Sequence, residues 1–226
     1  MYIFFKRLLD LILAGISMII LMPLFLLVAL ILRFTAEGEV FYFQKRVGWK
    51  NKPFDIWKFA TMMKNSAKIG TGTITLRNDP RVTPFGRYLR MSKINELPQI
   101  VNVLKGDLSI VGPRPLDDKA FLAYPEAMQS LVYQSKPGIT GIGSIIFRDE
   151  ERIISTSDLS PQECYATHIA PYKGALELWY LENASLATDI KLIFLTAWVI
   201  FFPGSDLVFR IFKDLPKKPE ALQINI

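Results

Sequence analysis

The stretch Leu11–Leu32, LILAGISMIILMPLFLLVALIL, runs for 22 residues without a charge. That length meets the requirement for a membrane helix, and it dominates what the chain can fold into. A secretory signal fits poorly, because the run exceeds a signal's apolar region and no small-x-small cleavage site precedes Arg33. Pro23 interrupts it. A proline inside a helix removes one backbone hydrogen bond and clashes with the preceding turn, so a bend is expected there. Lys6 and Arg7 flank one end of the run, and Arg33, Lys45 and Arg46 follow the other. A spanning helix would carry one of these basic ends across the membrane, whereas a helix bent at Pro23 keeps both on the cytoplasmic side. On charge alone, a kinked span and a re-entrant hairpin both stand.

The remainder of the 226 residues suffices for one domain with a core. Half of the chain is hydrophobic and the net charge is +6, which suits a partner carrying phosphate or anionic lipid. The basic residues recur singly among aromatics rather than in a stripe, so no nucleic acid is expected. With Cys164 the one cysteine and His168 the one histidine, an intrachain disulfide, a thiolate cluster and a two-histidine metal site are excluded.

EVFYFQKRVG reads as a short strand or an interfacial segment, NKPFDIWKFATM as similar and extended at first, and KIGTGTITLRNDPRVTPFG as a loop. A helix is predicted over Gly86–Met91. A second begins near Asn95, with Glu96 in its first turn, Pro98 close to the start and a stop at Gly106. VGPRP reads as a rigid extended turn, residues 120–133 as helical, and KPGITGIGS as a turn-rich loop. Leu192–Phe202 is too short an apolar run to span a bilayer; it suits a helix lying on the membrane or in the core. The expected fold is mainly α with a few short β-strands. Its expected parts are an N-terminal membrane segment over 1–36, a domain over 37–203 and an interfacial tail over 204–226.

No phosphate loop, dinucleotide fingerprint or nucleophile elbow is present. What remains is a cluster of arginines and acids between Arg77 and Arg114. Arg90 and Arg114 can hold phosphate oxygens through bidentate hydrogen bonds. Glu96, with Asp107 or Asp79, can hold a magnesium ion.

KRLLDLILA before a proline-interrupted apolar helix, FYFQKRVGWKNKPFDIWKF, GRYLRMSKINELPQIVNVLKGDLSIVGPRP and KPGITGIGS follow one another along the chain. In that order they resemble the bacterial sugar transferase family, the monotopic polyprenyl-phosphate phosphoglycosyl transferases. The resemblance implies transfer of sugar phosphate from a UDP-sugar to undecaprenyl phosphate, with release of UMP and Mg2+ as cofactor. That reaction begins capsule, exopolysaccharide, lipopolysaccharide O-antigen or glycoprotein glycan assembly. The implied place is the cytoplasmic face of the bacterial inner membrane, with the N-terminal helix re-entrant in the bilayer and bent at Pro23. A homo-oligomer is compatible with it. An Asp-Glu dyad does the work in the family, its aspartate attacking the β-phosphate. Glu96 matches the glutamate; Arg90 and Arg114 match the phosphate-binding arginines, and Lys93 joins them as an expected phosphate ligand.

The sequence departs from that pattern in four places. Asn95 stands at the nucleophile position, Met22 before the proline, and Ala60 where a basic residue is common. IGSIIFRDEER follows GITG, with an extra loop after it. An amide oxygen can ligate magnesium but lacks the negative charge of a carboxylate nucleophile. Either Glu96 takes over as nucleophile, or the lipid phosphate attacks directly, or the chain is an inactive homologue or an Asp-to-Asn trap that binds without turnover. Catalytic and metal-binding roles are therefore expected of Glu96 and Asn95 together.

Overall fold

The computed structural model describes residues 1–35, 37–66, 79–219 and 222, so most of the loop expected from Lys68 to Gly86 lies outside the described residues. The long apolar run lies within one helix, α1 (Tyr2–Phe34), with Pro23 inside it. Among the described residues it is the helix long and apolar enough to cross a membrane. Its inward positions are Asp10, Ala14, Phe25, Val28 and Leu32, with Met18 and Leu21 partly covered between them. These recur every three or four residues along one face, as a helix packed along its whole length requires. Ile3, Phe4, Ile19, Ile20, Leu26 and Leu30 are exposed.

The two extended segments form an antiparallel hairpin, β1 (Phe41–Val47) with β2 (Pro53–Phe59), in the register Arg46↔Phe54 and Tyr42↔Lys58. α2 (Pro84–Met91) follows, its start capped by the Thr83 side chain accepting from Gly86 N. The helix expected from Asn95 is divided. Ile94–Glu96 form a 3-10 turn entered through Lys93 in the left-handed region (φ 59°), and α3 (Gln99–Lys105) begins only after Pro98. Pro98 has no N–H to donate to the Ile94 carbonyl, so the ladder restarts there. Glu96 accordingly stands before α3 and not within its first turn. Gly106, at φ 93°, ends α3 in the left-handed conformation that glycine accepts most readily.

The rest is largely helical: α4 (Asp118–Leu122), α5 (Glu126–Gln129), α6 (Ile142–Ile146), α7 (Glu150–Ser155), α8 (Pro161–Cys164), α9 (Ala170–Glu182), α10 (Leu186–Phe201) and α11 (Leu207–Ile211). The helix expected over 120–133 is broken into shorter pieces on either side of Pro125, again through a missing donor. Part of the expected loop KPGITGIGS is instead a strand, β4 (Gly138–Thr140), parallel to β3 (Ser109–Val111). The approach is so close that a Cβ on Gly138 would sit 2.1 Å from Gly112 N, and one on Gly141 would sit 2.3 Å from Gly112 O. The glycines of VGPRP and KPGITG are therefore a packing requirement.

Among the described residues, three apolar clusters form the interior. The largest joins α9, α10 and the segments around Tyr124, Tyr133 and Ile142, and takes in Val208 and Phe212 near the end of the chain. The other two lie under α1. Ala14 packs with Ile56, Ile100, Val103 and Leu108, while Phe25, Val28 and Leu32 pack with Phe59 and Leu89. One face of α10 (Leu192, Leu195, Val199) is buried and its Ile190, Phe194, Ile200 and Phe201 are exposed, so it serves the core and still presents an apolar surface.

Candidate active site

The site is built where β2, the 3-10 turn and the segment after β3 converge. α3 is fixed to β2 by Asn102, fully buried, whose Oδ1 accepts from Trp57 N (2.9 Å) and whose Nδ2 donates to Asp55 O (2.8 Å). Lys58 lies two residues beyond buried Ile56 on the same face of β2, and so points inward. Its Nζ is 3.5 Å from Glu96 Oε1, and Arg114 NH2 is 3.6 Å from the same oxygen. Glu96 is one carboxylate facing two cations.

Arg114 is held by its backbone. Its N–H donates to Glu177 Oε1 of α9 (3.2 Å), and its carbonyl accepts from Tyr133 Oη (2.7 Å), which in turn accepts from Leu116 N (2.9 Å). Arg46 of β1 donates to Pro115 O (3.4 Å) and lies 3.6 Å from Asp117 Oδ2. Arg46, Lys58, Gln99, Arg114 and Gly138 line a narrow crevice beside this segment.

Charge in the site is lopsided. Burial pushes the Glu96 carboxyl up, but Lys58, Arg114, Lys93 and Arg46 together outweigh it and hold the group down to about 2. Burial brings Lys58 down to about 8, helped by Arg46, Arg114 and Arg90 and opposed by Glu96. Glu96 sits low despite its burial because the charges facing it are cations, whereas Lys58 is lowered first by its own burial. On the far side of Arg114, burial raises Glu177 to about 7 despite the Arg114 N–H and nearby Lys173.

Of the residues singled out in the sequence, Glu96 and Arg114 are brought together directly. Lys93 is exposed at the entry to the 3-10 turn, close enough in charge to act on Glu96. Arg90, in the last turn of α2, acts on Lys58 and pairs with Glu151 of α7 at 3.0 Å. Asn95 is buried, and its Oδ1 has no hydrogen-bond partner among the described residues. Pro23 lies on the exposed side of α1.

The two alternative metal-binding acids are committed elsewhere. Asp79 takes a bidentate pair from Arg81 (2.9 and 2.6 Å), and Asp107 accepts from Asn102 Nδ2 (3.2 Å) and lies 3.7 Å from Lys105. Among the described residues no three His, Cys, Asp or Glu side chains gather as a metal cage. Sequence reasoning missed Arg46, Lys58, Tyr133 and Glu177. Lys58 had a weak signal, its place two residues from Ile56 on one face of the strand. Glu177 had none, since its role depends on a contact 63 residues away in the chain.

A family model described as bacterial sugar transferase matches residues 1–203. The exopolysaccharide production protein ExoY of Sinorhizobium fredii is 34% identical over 205 residues, covering 84% of this chain and 83% of that protein. The UDP-glucose:undecaprenyl-phosphate glucose-1-phosphate transferase of Klebsiella pneumoniae is 36% identical over 210 residues, 89% of this chain but 41% of that protein. The undecaprenyl-phosphate galactose phosphotransferase of Salmonella typhimurium is 31% identical over 212 residues, again 87% of this chain and 40% of the longer protein.

Proposed function

Because the chain belongs to the bacterial sugar transferase family, we propose that it moves a sugar phosphate from a UDP-sugar onto undecaprenyl phosphate and releases UMP. The proposed setting is the cytoplasmic face of the inner membrane, as the first step of a surface polysaccharide such as an exopolysaccharide. The observation that carries this reading is the carboxylate of Glu96 set among Lys58, Arg114, Lys93 and Arg46. A site with that surplus of cations matches the negative charge of a nucleotide diphosphate. Arg114 and Arg90 are assigned to phosphate oxygens, with Lys58 and Lys93 adding charge.

Glu96 and the Oδ1 of Asn95, without a partner among the described residues, are oxygen donors of the kind magnesium takes. They fit the ion in company with substrate phosphates, since one or two protein oxygens plus phosphate is a common magnesium site. Bound there, magnesium would neutralise phosphate charge during transfer. The amide of Asn95 is not a nucleophile, and a carboxylate stabilised as strongly as Glu96 is a weak one. The transfer is therefore assigned to direct attack. An oxygen of the lipid phosphate bonds to the β-phosphorus, the bond from that phosphorus to the bridging oxygen breaks, and UMP leaves with the electron pair. Catalysis then rests on positioning and on charge held in place beforehand.

For membrane placement, α1 is tied to the domain at its start, middle and end. Lys6 pairs with Asp189 (2.8 Å), Asp10 accepts from Ser109 Oγ (3.0 Å) and Ile110 N (2.9 Å), and Leu32 packs with Phe59 and Leu89. A crossing helix would drag these partners into hydrocarbon, so the contacts favour an α1 that does not cross, and its re-entrant form is carried over from the family resemblance.

The test is UMP release by the full chain with magnesium, undecaprenyl phosphate and a panel of UDP-sugars. Turnover without a phosphosugar adduct in intact-protein mass spectra is expected, and Glu96→Gln should abolish it. Asn95 supports one rival reading, a protein that binds these substrates without turnover. A silent wild type that gains turnover and an adduct on Asn95→Asp would establish that rival.

A further inference from the structure

Two adjacent acids in the segment that departs from the family pattern reach opposite sides of the site. Glu150 pairs with Lys173 of α9, whose side chain is 2% exposed and also lies over the rings of Phe147 (5.6 Å) and Tyr165 (5.7 Å). Glu151 pairs with Arg90 of α2 at 3.0 Å, and here the side chains are 47% and 25% exposed. Breaking the first pair strands a buried ammonium, whereas an exposed pair like the second contributes little and gives way to a competing anion. α7 is therefore fixed on α9 and detachable from α2. Arg114 of the site feels the charges of Glu96, Glu150 and Glu177.

We propose that Glu151 is a placeholder: its carboxylate occupies the Arg90 guanidinium in the free protein and is displaced when the diphosphate of the nucleotide sugar takes that guanidinium. The assignment rests on the proposed reading of Arg90 as a phosphate ligand. Glu151 Oε1 accepts from Arg90 NH2, the kind of contact a phosphate oxygen makes, so the acid and the substrate compete for one guanidinium. Substrate binding then includes an exchange of anions, and the α7 edge is released when the site fills.

The experiment is calorimetric titration of the full chain in detergent with UDP. It uses the wild type, Glu151→Gln, Arg90→Ala and the double variant. Removing the competitor should tighten UDP by up to about fivefold. Arg90→Ala should weaken UDP, and adding Glu151→Gln to it should change nothing further, because the two act through one contact. Glu151→Asp should restore wild-type affinity in part, which a merely structural role would not require. Unchanged or weaker UDP binding by Glu151→Gln, with Arg90→Ala impaired, overturns the exchange and leaves the phosphate site standing. Arg90→Ala with wild-type affinity overturns both the exchange and the role of Arg90. No UDP binding by any variant or by the wild type overturns the functional reading as well.

Discussion

Glu177 shows how a single side chain can hold the site at a cost in stability. Its Oε1 accepts from Arg114 N, while its Oε2 is buried without a partner among the described residues, and burial raises its pKa to about 7. An ordinary glutamate titrates near 4.3, so between about pH 4.3 and about pH 7 the folded state binds more protons than the unfolded one. Stability then falls as pH rises through that window and stays depressed above it. Glu177→Gln removes the penalty, and it still offers an oxygen to Arg114 N. Comparing the variant with wild type, its relative stability should improve by on the order of 2–3 kcal/mol between about pH 5 and about pH 8. Thermal unfolding at the two pH values checks this; a difference independent of pH would mean that Glu177 titrates normally.

At the scale of elements, α1 and α3 meet through polar contacts that the hydropathy of α1 conceals. Arg7 donates to the carbonyls of Val103 (2.7 Å) and Leu104 (3.1 Å), closing the C-terminal end of α3 with a cation, while Asp10 closes the start of β3. Asp10→Ala should leave the Ser109 hydroxyl and the Ile110 N–H unpartnered, at roughly 1–3 kcal/mol for each buried group left so. Asp10→Asn keeps an acceptor and should lose less, which thermal unfolding in detergent will show. Topology can be tested on the same element. A cysteine in an N-terminal extension and another at Lys52, in separate variants, should both resist an impermeant thiol reagent in intact cells. Labelling of either from outside would sink the re-entrant arrangement.

For the molecule as a whole, the broad organisation was legible in the sequence and much of the joinery was not. The apolar run, the hairpin strands and α2 follow from period and punctuation, because each is decided by neighbours a few residues apart. The motif Lys93-Ile94-Asn95-Glu96 pointed to the candidate site, where Glu96 and Arg114 meet. The break at Pro98, the strand inside KPGITG and the arrival of Lys58 and Glu177 depend on partners distant in sequence, where no local pattern speaks. The same distance makes α1 indispensable. Without it Ile56, Ile100, Val103 and Leu108 lose Ala14, and Phe59 and Leu89 lose Phe25, Val28 and Leu32. A truncated chain of residues 37–226 is expected to aggregate on expression, and recovery of a folded, soluble monomer would contradict this. A helix usually regarded as a mooring line is here part of the hull. A change in lipid thickness or lateral pressure acting on α1 therefore reaches β2, α2 and α3 directly.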